Sequence, residues 1–338
     1  MSSLFSKHNG VRQGAILSAP AYCFYCEQLF AILERQRHGC WVQDYFLGLL
    51  GYSDDNICLA PSLNAHQKML RTCEEFALSH NLKFSTDPNP KKCKTKTLAF
   101  LKKPRDLPSM MLCGNPLPWT DTCKHLGVHI GNKINGCEED MRRKNAEYVR
   151  KNIELNQEFW CAHPATKIQA NRIYNSSYYG SPLWNLFGPG ALSIESSYNR
   201  SVKVMLDLPH ATHRSLIEPL TGETHVKLLM IRRFLGFMDK VRDSGKLALK
   251  MLQREAVKDV RSVTGSNYRN IMLLTGKTRV EDVRFEDFHS LTYHQLNQEE
   301  TWKISAIKEI INIKAGMMEV PGFETDELEE ILCHLCTS

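Results

Sequence analysis

The first eighty residues alternate between helix-like and strand-like hydrophobic patterns. Apolar side chains recur at helical spacing in residues 16–38, and Gly39 is a stop signal after the basic end of that stretch, so a helix is predicted there. Residues 42–61 (VQDYFLGLLGYSDDNICLAP) contain two short apolar runs around a tight turn, which predicts a strand, a turn and a strand. Ser62 can then cap a helix that reaches about Asn81. One face of that helix is predicted to be apolar: Met69, Leu70, Cys73, Phe76 and Ala77.

Short strands are predicted in the next fifty residues. Residues 81–104 favour a strand, an Asn-Pro loop and a second strand. Residues 109–119 (SMMLCGNPLPW) predict a hairpin that turns at Gly114-Asn115. Residues 123–136 add another short strand pair. Up to about residue 135, the sequence therefore predicts a mixture of strands and helices.

The pattern changes at Glu138, after which five long stretches favour helix and are separated by Gly, Pro and Asn. Residues 264–300 are polar with weak signals and are predicted to be irregular, and two more helices are predicted near 301–317 and 326–336. The expected fold class is α+β. The expected regions are a mixed region over residues 1–135, a helical region over 136–263 and a helical C-terminal region over 264–338.

Charge and cysteine content add few constraints. The net charge is +6 and the sequence pI about 8.6, which permits a nucleic-acid partner without requiring one. No segment resembles a signal peptide, and no apolar run reaches about 18 residues. We therefore expect free thiols in a reducing compartment, nucleus or cytoplasm, and no membrane partner. Two C-x-x-C pairs, Cys23/Cys26 and Cys333/Cys336, could bind zinc, but buried thiols are the simpler interpretation.

Two adjacent aspartates, Asp54 and Asp55, interrupt the apolar runs of residues 48–61. Neighbouring carboxylates repel each other, and each costs several kcal/mol if it is buried without a partner. The pair therefore either lies on an exposed turn as ordinary surface residues or binds something strongly positive.

Four sequence blocks, in this order, resemble the reverse transcriptase domain of non-LTR (LINE-type) retrotransposons. The first opens the first predicted helix, the second includes the two aspartates, the third is a lysine motif before a strand and the fourth resembles the primer-grip hairpin. They are Gly10-Val11-Arg12-Gln13-Gly14 with Ser18, Tyr52-Ser53-Asp54-Asp55, Lys94-Thr95 and Leu126-Gly127. Each block alone is a weak signal, whereas their order and spacing over about 120 residues indicate common descent.

The resemblance implies a partial reverse transcriptase palm over residues 1–135, a helical thumb-like region over 136–263 and a helical post-catalytic region over 264–338. It implies RNA-directed DNA synthesis with Mg²⁺ as cofactor and with an RNA template and a DNA primer as partners, and it leaves the oligomeric state open. The implied site residues are Asp54, Asp55 and Lys94 for catalysis, with Asp54 and Asp55 also as metal ligands; Gly10, Arg12, Gln13, Gly14 and Tyr52 for nucleotide and template; and Leu126 and Gly127 for the primer grip.

The chemistry of the acidic pair agrees with this resemblance. Nucleotidyl transfer by two Mg²⁺ ions places the ions roughly 3.5–4 Å apart, and hard cations prefer carboxylate oxygens. A tight turn lets consecutive Asp side chains converge, whereas a straight strand points them to opposite faces. The alternatives are an acidic surface turn for the pair, a helix-entry loop for residues 10–14, a solvated lysine for Lys94 and an ordinary hairpin at Leu126-Gly127.

The sequence departs from the family ahead of the first block. The family's polymerase centre uses a further Asp there, and residues 1–9 contain no Asp or Glu. We therefore expect the C-terminal part of a truncated reverse transcriptase that is inactive as it stands. Glu27 and Asp44 are the nearest other carboxylates, and we expect neither to replace the missing one. The alternatives are a gene model that starts late, a non-catalytic nucleic-acid-binding remnant and a pseudogene product without function.

Basic side chains in two parts of the chain predict contacts with phosphates. Residues 91–105 contain seven lysines and arginines. Further basic residues lie on predicted helices: Arg142, Arg143, Lys144, Arg150, Lys151, Arg232 and Arg233. A groove lined by both sets would follow a nucleic-acid backbone without reading its sequence.

Overall fold

The computed structural model describes residues 16–100, 106–133, 137–175, 178–212, 214 and 217–289. The chain is α+β, as predicted, and its strands form small two-stranded sheets. It divides into two compact units, residues 1–126 and 127–338. The first sequence block (Gly10, Arg12, Gln13 and Gly14) and the two predicted C-terminal helices lie outside the described residues. Among the described helices, none has the length and apolar character needed to cross a membrane.

The first unit contains two long helices and seven short strands in its described part. Helix α1 spans Ser18–Gln36 and helix α2 spans Leu63–Ser79, close to the bounds predicted for both. The strands are β1 (Trp41–Val42), β2 (Tyr45–Phe46), β3 (Leu49–Tyr52), β4 (Asp55–Cys58), β5 (Met110–Leu112), β6 (Asn115–Leu117) and β7 (Thr122–His125).

Three antiparallel hairpins, β1–β2, β3–β4 and β5–β6, close through two-residue turns in this unit. The prediction of one strand pair over residues 42–61 was too simple, because this stretch forms the second strand of one hairpin and the whole of the next. The turn of β5–β6 consists of Cys113 and Gly114 with φ of +50° and +70°. The predicted turn at Gly114-Asn115 was wrong by one residue, because Asn115 pairs with Leu112 in the ladder.

The apolar faces of α1, α2 and β3 meet in the core of the first unit. Ser62 caps α2, since its Oγ accepts a hydrogen bond from the backbone N–H of Ala65 at 3.2 Å. The five apolar residues predicted to line α2 are all buried. Cys58, the last residue of β4, packs against the cluster that contains Cys73. The clustered residues are Leu29, Leu33, Leu49, Met69, Cys73 and Phe76.

The strands predicted within residues 81–100 are not formed. The stretch has a single isolated bridge, between Thr97 and Trp119. Its other backbone bonds hold a loop, for example from the N–H of Thr95 to the carbonyl of Ser85 at 3.2 Å. Two prolines, Pro88 and Pro90, lack the backbone N–H that a ladder needs, which explains why the β-branched residues nearby do not extend a sheet.

The second unit begins with β8 (Val128–Gly131) and continues as helices, as predicted for residues 138–260. Its core contains large, fully buried side chains such as Trp184, Phe234 and Tyr268. The helices are α3 (Glu138–Glu158), α4 (Pro164–Asn175), α5 (Pro189–Met205), α6 (Ile217–Thr221), α7 (Val226–Asp243), α8 (Leu247–Lys258), α9 (Val263–Thr275) and α10 (Phe285–His289).

The irregular structure predicted for residues 264–300 was wrong at its start. Helix α9 buries Tyr268 and Ile271 in the core of the second unit. Ser262 caps this helix by accepting a hydrogen bond from the N–H of Gly265 at 2.9 Å. Helix α10 follows within the same stretch and buries Phe288. Tertiary packing of a few apolar residues therefore outweighs the weak local signal of this stretch.

Candidate functional site

The acidic pair lies at the tip of the β3–β4 hairpin. Tyr52 pairs with Asp55 in the ladder, so Ser53 and Asp54 are the two turn residues. Ser53 has a φ of +55°. Asp54 and Asp55 are both exposed to solvent, and Tyr52 beside them is 68% exposed. The hairpin thus presents two carboxylates and one aromatic ring on a short, tight turn.

Helix α1 supports this hairpin from one side. A Cβ atom added at Gly51 would lie 2.6 Å from Cζ of Phe30, closer than two carbon atoms can approach. The missing side chain at residue 51 therefore lets the Phe30 ring pack against the backbone of β3. Asn56, opposite Gly51 in the ladder, donates from Nδ2 to the carbonyl of Asp54 at 3.5 Å. Both contacts tie the turn to the helix and to its own strand.

Tyr22 on α1 is a site residue that the sequence reasoning missed. Burial, a hydrogen bond with Cys26 and the negative charge of Asp54 together raise the pKa of the Tyr22 hydroxyl to about 12. Tyr22 is therefore a protonated phenol within electrostatic reach of Asp54. The signal for it was the spacing of Tyr22, Cys26 and Phe30 on one face of α1.

The described residues supply two carboxylates at this tip and no more. In the part of the chain that the structure describes, no group of three or more His, Cys, Asp or Glu side chains could hold a metal ion. Glu27 and Asp44 are exposed and do not complete such a group with the pair. Mg²⁺ often binds through one or two carboxylates together with substrate phosphates and water. The pair thus fits one Mg²⁺ assisted by substrate and does not fit the ligand set of two bridged ions.

Lys94 lies on an extended loop, residues 91–96, whose lysines face solvent. We call this segment the lysine loop. Cys93 and Thr97 are buried, whereas Lys94 and Lys96 are exposed, as are Lys91 and Lys92 at the start of the loop. The thiol of Cys93 donates to the carbonyl of Thr95 at 3.1 Å and holds the loop locally. Within the described ranges, none of these four ammonium groups has a carboxylate partner. Their charges are available to an external anion.

The turn between β7 and β8 has the predicted strand–turn–strand order. Leu126 and Gly127 form the turn, with φ of +47° and +82°. Leu126 is 38% exposed. The division between the two compact units falls between these two residues.

The basic residues of α3 are paired within the helix. Arg142 and Arg143 both contact Glu139, at 2.8 and 2.6 Å. Lys144 and Lys151 contact Glu147 at 3.3 and 3.0 Å. Arg150 is paired with Glu154. The surface of α3 therefore carries both signs of charge, unlike the lysine loop.

The arginines of α7 are also engaged within the second unit. Arg232 donates from Nε to the carbonyl of Phe288 at 2.6 Å and from Nη1 to the hydroxyl of Thr224 at 2.9 Å. Arg233 is partly buried, and burial lowers the pKa of its guanidinium. The contacts of Arg232 and the partial burial of Arg233 give both arginines a structural role in the fold.

Part of the chain is similar to a known protein family. Residues 3–130 match the family model of reverse transcriptase (RNA-dependent DNA polymerase). The match supports a reverse transcriptase domain over this stretch, which covers less than half of the 338 residues. A search of curated proteins found no significant match. The matched stretch includes the acidic hairpin, the lysine loop and the Leu126-Gly127 turn, and the family that it resembles implies a nucleic-acid substrate.

Proposed function

We propose that the reverse transcriptase domain is part of the palm of a non-LTR retrotransposon polymerase, whose Asp54 and Asp55 face the 3′ end of a DNA primer paired to an RNA template. The observation that carries this proposal is the exposed position of both aspartates at a two-residue hairpin tip within residues 3–130. Loops on a rigid scaffold are where polar catalytic groups are commonly placed. Here α1 supplies the scaffold through Phe30.

The pair has a definite chemical task in this proposal. Mg²⁺, when bound, would neutralise phosphate charge at the reacting centre. Asp54 and Asp55 would hold that ion. Lys94 and the other loop lysines would contact phosphates of the nucleotide or the strand. The described carboxylates do not complete the ligand set of two metal ions.

A second candidate function is binding of primer–template without extension. Two observations on the described part of the chain favour it. No third metal-ligating side chain joins the acidic pair there, and four exposed lysines lack carboxylate partners. Phosphate contacts alone position a nucleic acid and require no metal. For the 338-residue chain we expect this binding without DNA synthesis.

Metal binding is tested with Tb³⁺, whose emission is sensitised by nearby tyrosine and is displaced by Mg²⁺. The D54N/D55N variant should weaken Tb³⁺ binding by about tenfold or more, equivalent to about 1.4 kcal/mol. D44N is the matched control, because Asp44 is also an exposed turn residue that follows a residue with positive φ, Gln43. Equal Tb³⁺ binding by the two variants would remove Asp54 and Asp55 as metal ligands.

Primer extension separates the two candidate functions. The wild-type chain is incubated with an RNA template, a labelled DNA primer, deoxynucleotides and Mg²⁺, while binding of the same duplex is followed by fluorescence anisotropy. Binding without extension supports the second function. Extension that D54N abolishes and D44N preserves would show that this chain is an active polymerase. Absence of binding at low salt, by a chain shown to be folded, would overturn both.

A further inference from the structure

An exposed aromatic residue, Tyr179, lies between two firmly held neighbours in the second unit. Its side chain is 64% exposed, although Tyr178 before it is only 4% exposed. The ring of Tyr178 stands edge-on to that of Trp184, with centroids 6.3 Å apart and an angle of 84°. The peptide that leads into Tyr179 is therefore anchored in the core.

The residue after Tyr179 is held equally closely. A Cβ atom at Gly180 would lie 2.5 Å from Oδ2 of Asp140 and 2.9 Å from Nε1 of Trp184. Asp140 is completely buried and accepts hydrogen bonds from Trp184 Nε1 at 2.9 Å and from the backbone N–H of His129 at 3.0 Å. Because both flanking residues are fixed, the backbone of Tyr179 is fixed too.

Gly127, the turn residue before β8, lies next to this ring. A Cβ atom at Gly127 would be 3.9 Å from Cε1 of Tyr179, so the ring lies beside Gly127 and no side chain of that residue covers it. A fixed backbone fixes the starting point of the ring, so stacking at Tyr179 requires no backbone ordering and restricts only the side-chain torsions. A nucleobase is a flat ligand that can stack on such an exposed ring. Because every base has a π-face, this stacking does not depend on the nucleotide sequence.

We propose that Tyr179 stacks on an unpaired nucleobase of the bound nucleic acid, next to the turn at Gly127. This inference rests on the proposed nucleic-acid function and adds one binding residue to it, outside the family match at residues 3–130. The contact is aromatic and uncharged. It therefore contributes affinity for single-stranded segments without changing the number of phosphates that are neutralised.

The test uses a single-stranded oligonucleotide that carries one 2-aminopurine, a base whose fluorescence falls when it stacks. Y179L should bind about 5- to 100-fold more weakly than wild type, with the salt slope unchanged and the quenching on binding reduced. Y179F keeps the ring and should bind like wild type. W160A is the matched control, because Trp160 is an exposed aromatic residue of the same unit, at 76% exposure. W160A should leave both readouts unchanged.

The outcomes separate the inference from the function on which it rests. If wild type and Y179L bind the oligonucleotide with equal affinity, the stacking role of Tyr179 is wrong, while the proposed nucleic-acid function still stands. Equal losses in Y179L and W160A overturn it too, because they show general dependence on exposed rings. No binding by the folded wild-type chain overturns both proposals. Thermal melting of each variant confirms folding, and because Tyr179 is exposed, Y179L should melt like wild type.

Discussion

Gly51 is the residue at which helix α1 and the acidic hairpin come closest. G51A would place a Cβ atom 2.6 Å from Cζ of Phe30 and 2.9 Å from Oδ1 of Asn56, so the ring or the strand must move. We expect the free energy of unfolding to fall by about 1–3 kcal/mol, as for other overpacked sites. Urea unfolding measures this change.

Two further variants define the cause of that loss. G245A is the control, since no atom lies within 4 Å of a Cβ built at Gly245, and it should change the free energy of unfolding little. F30L combined with G51A should recover part of the lost free energy of unfolding, because leucine lacks the ring atom Cζ that a Cβ at residue 51 would contact. If the G51A chain is as stable as wild type, then Phe30 or strand β3 shifts to accommodate the added Cβ atom at little cost in free energy.

His225 makes stability depend on pH. The side chain is fully buried, and its Nε2 lies 2.9 Å from Oδ1 of Asn199 while its Nδ1 accepts a hydrogen bond from the N–H of Lys227 at 3.3 Å. Burial, followed by the positive charges of Lys227 and Arg214, lowers the pKa of His225 to about 3. Protonation would also place a hydrogen on Nδ1 where Lys227 already donates one.

The sign of the pH effect follows from this lowered pKa. The unfolded chain binds a proton at His225 below about pH 6.5, whereas the folded chain does not until about pH 3. Stability from this residue is therefore present above pH 6.5 and lost as the pH falls, by up to about 1.4 kcal/mol per pH unit. H225N should flatten the wild-type slope of unfolding free energy between pH 6.5 and 4. Parallel slopes would contradict this.

At the scale of elements, Asp140 at the start of α3 connects that helix to β8 and to Trp184. Its buried carboxylate accepts the two hydrogen bonds from His129 and Trp184 described above. D140N retains the shape but replaces one acceptor by a donor, and we expect a loss of about 1–3 kcal/mol in unfolding free energy. Chemical denaturation followed by tryptophan fluorescence measures it.

Glu154 provides the comparison for Asp140 on the same helix. It forms an exposed ion pair with Arg150, and exposed pairs of this spacing contribute about 0.3–0.5 kcal/mol. E154Q should therefore change the free energy of unfolding far less than D140N. Similar losses from both variants would show that the Asp140 hydrogen bonds add little to stability.

The sequence predicted the elements with strong local signals and failed where distant contacts decide. The burial of Met69 and Phe76 on α2 followed from helical spacing and a serine cap, and the structure confirms both. The strands expected in residues 81–100 failed because β-branched residues there pack as a loop held by Ser85 and Pro118. Helix α9 was missed because only Tyr268 and Ile271 signal its buried face.

The candidate site was predictable only in part for the same reason. A two-residue turn between apolar runs is a local signal, and it correctly placed Asp54 at a hairpin tip. The support by Phe30 and the electrostatic proximity of Tyr22 to Asp54 depend on how α1 packs against the hairpin. Spacing along α1 marks these residues as one face of a helix but does not say what that face meets.

At the scale of the whole molecule, salt dependence of binding distinguishes free cations from paired ones. We expect the log–log slope of affinity against salt to be about −4 to −5 for a primer–template duplex. Replacing Lys91, Lys92, Lys94 and Lys96 by Gln should flatten it by up to about 3 units. These lysines lack carboxylate partners within the described residues.

A second fourfold variant controls for total charge. Replacing Arg142, Arg143, Arg150 and Lys151 by Gln also removes four positive charges, but each of these residues is paired with a glutamate on α3. The slope should therefore change less than for the loop variant. Equal flattening by both variants would show that net charge, and not the lysine loop, governs binding. The measurement is fluorescence anisotropy between about 50 and 200 mM salt.

Cys58 at the base of the acidic hairpin contacts the cluster around Cys73, so the accessibility of the Cys73 thiol reports local opening of this hairpin. Cys58 ends β4, and the hydrogen bond between the two thiols, followed by burial, raises the pKa of Cys73. A maleimide can reach Cys73 only during local opening, whereas Cys23 is exposed and accessible without any opening. The labelling rate of Cys73, followed by peptide mass spectrometry, would measure how often the base of the hairpin opens locally and exposes this thiol. A duplex seated at the tip should slow that rate.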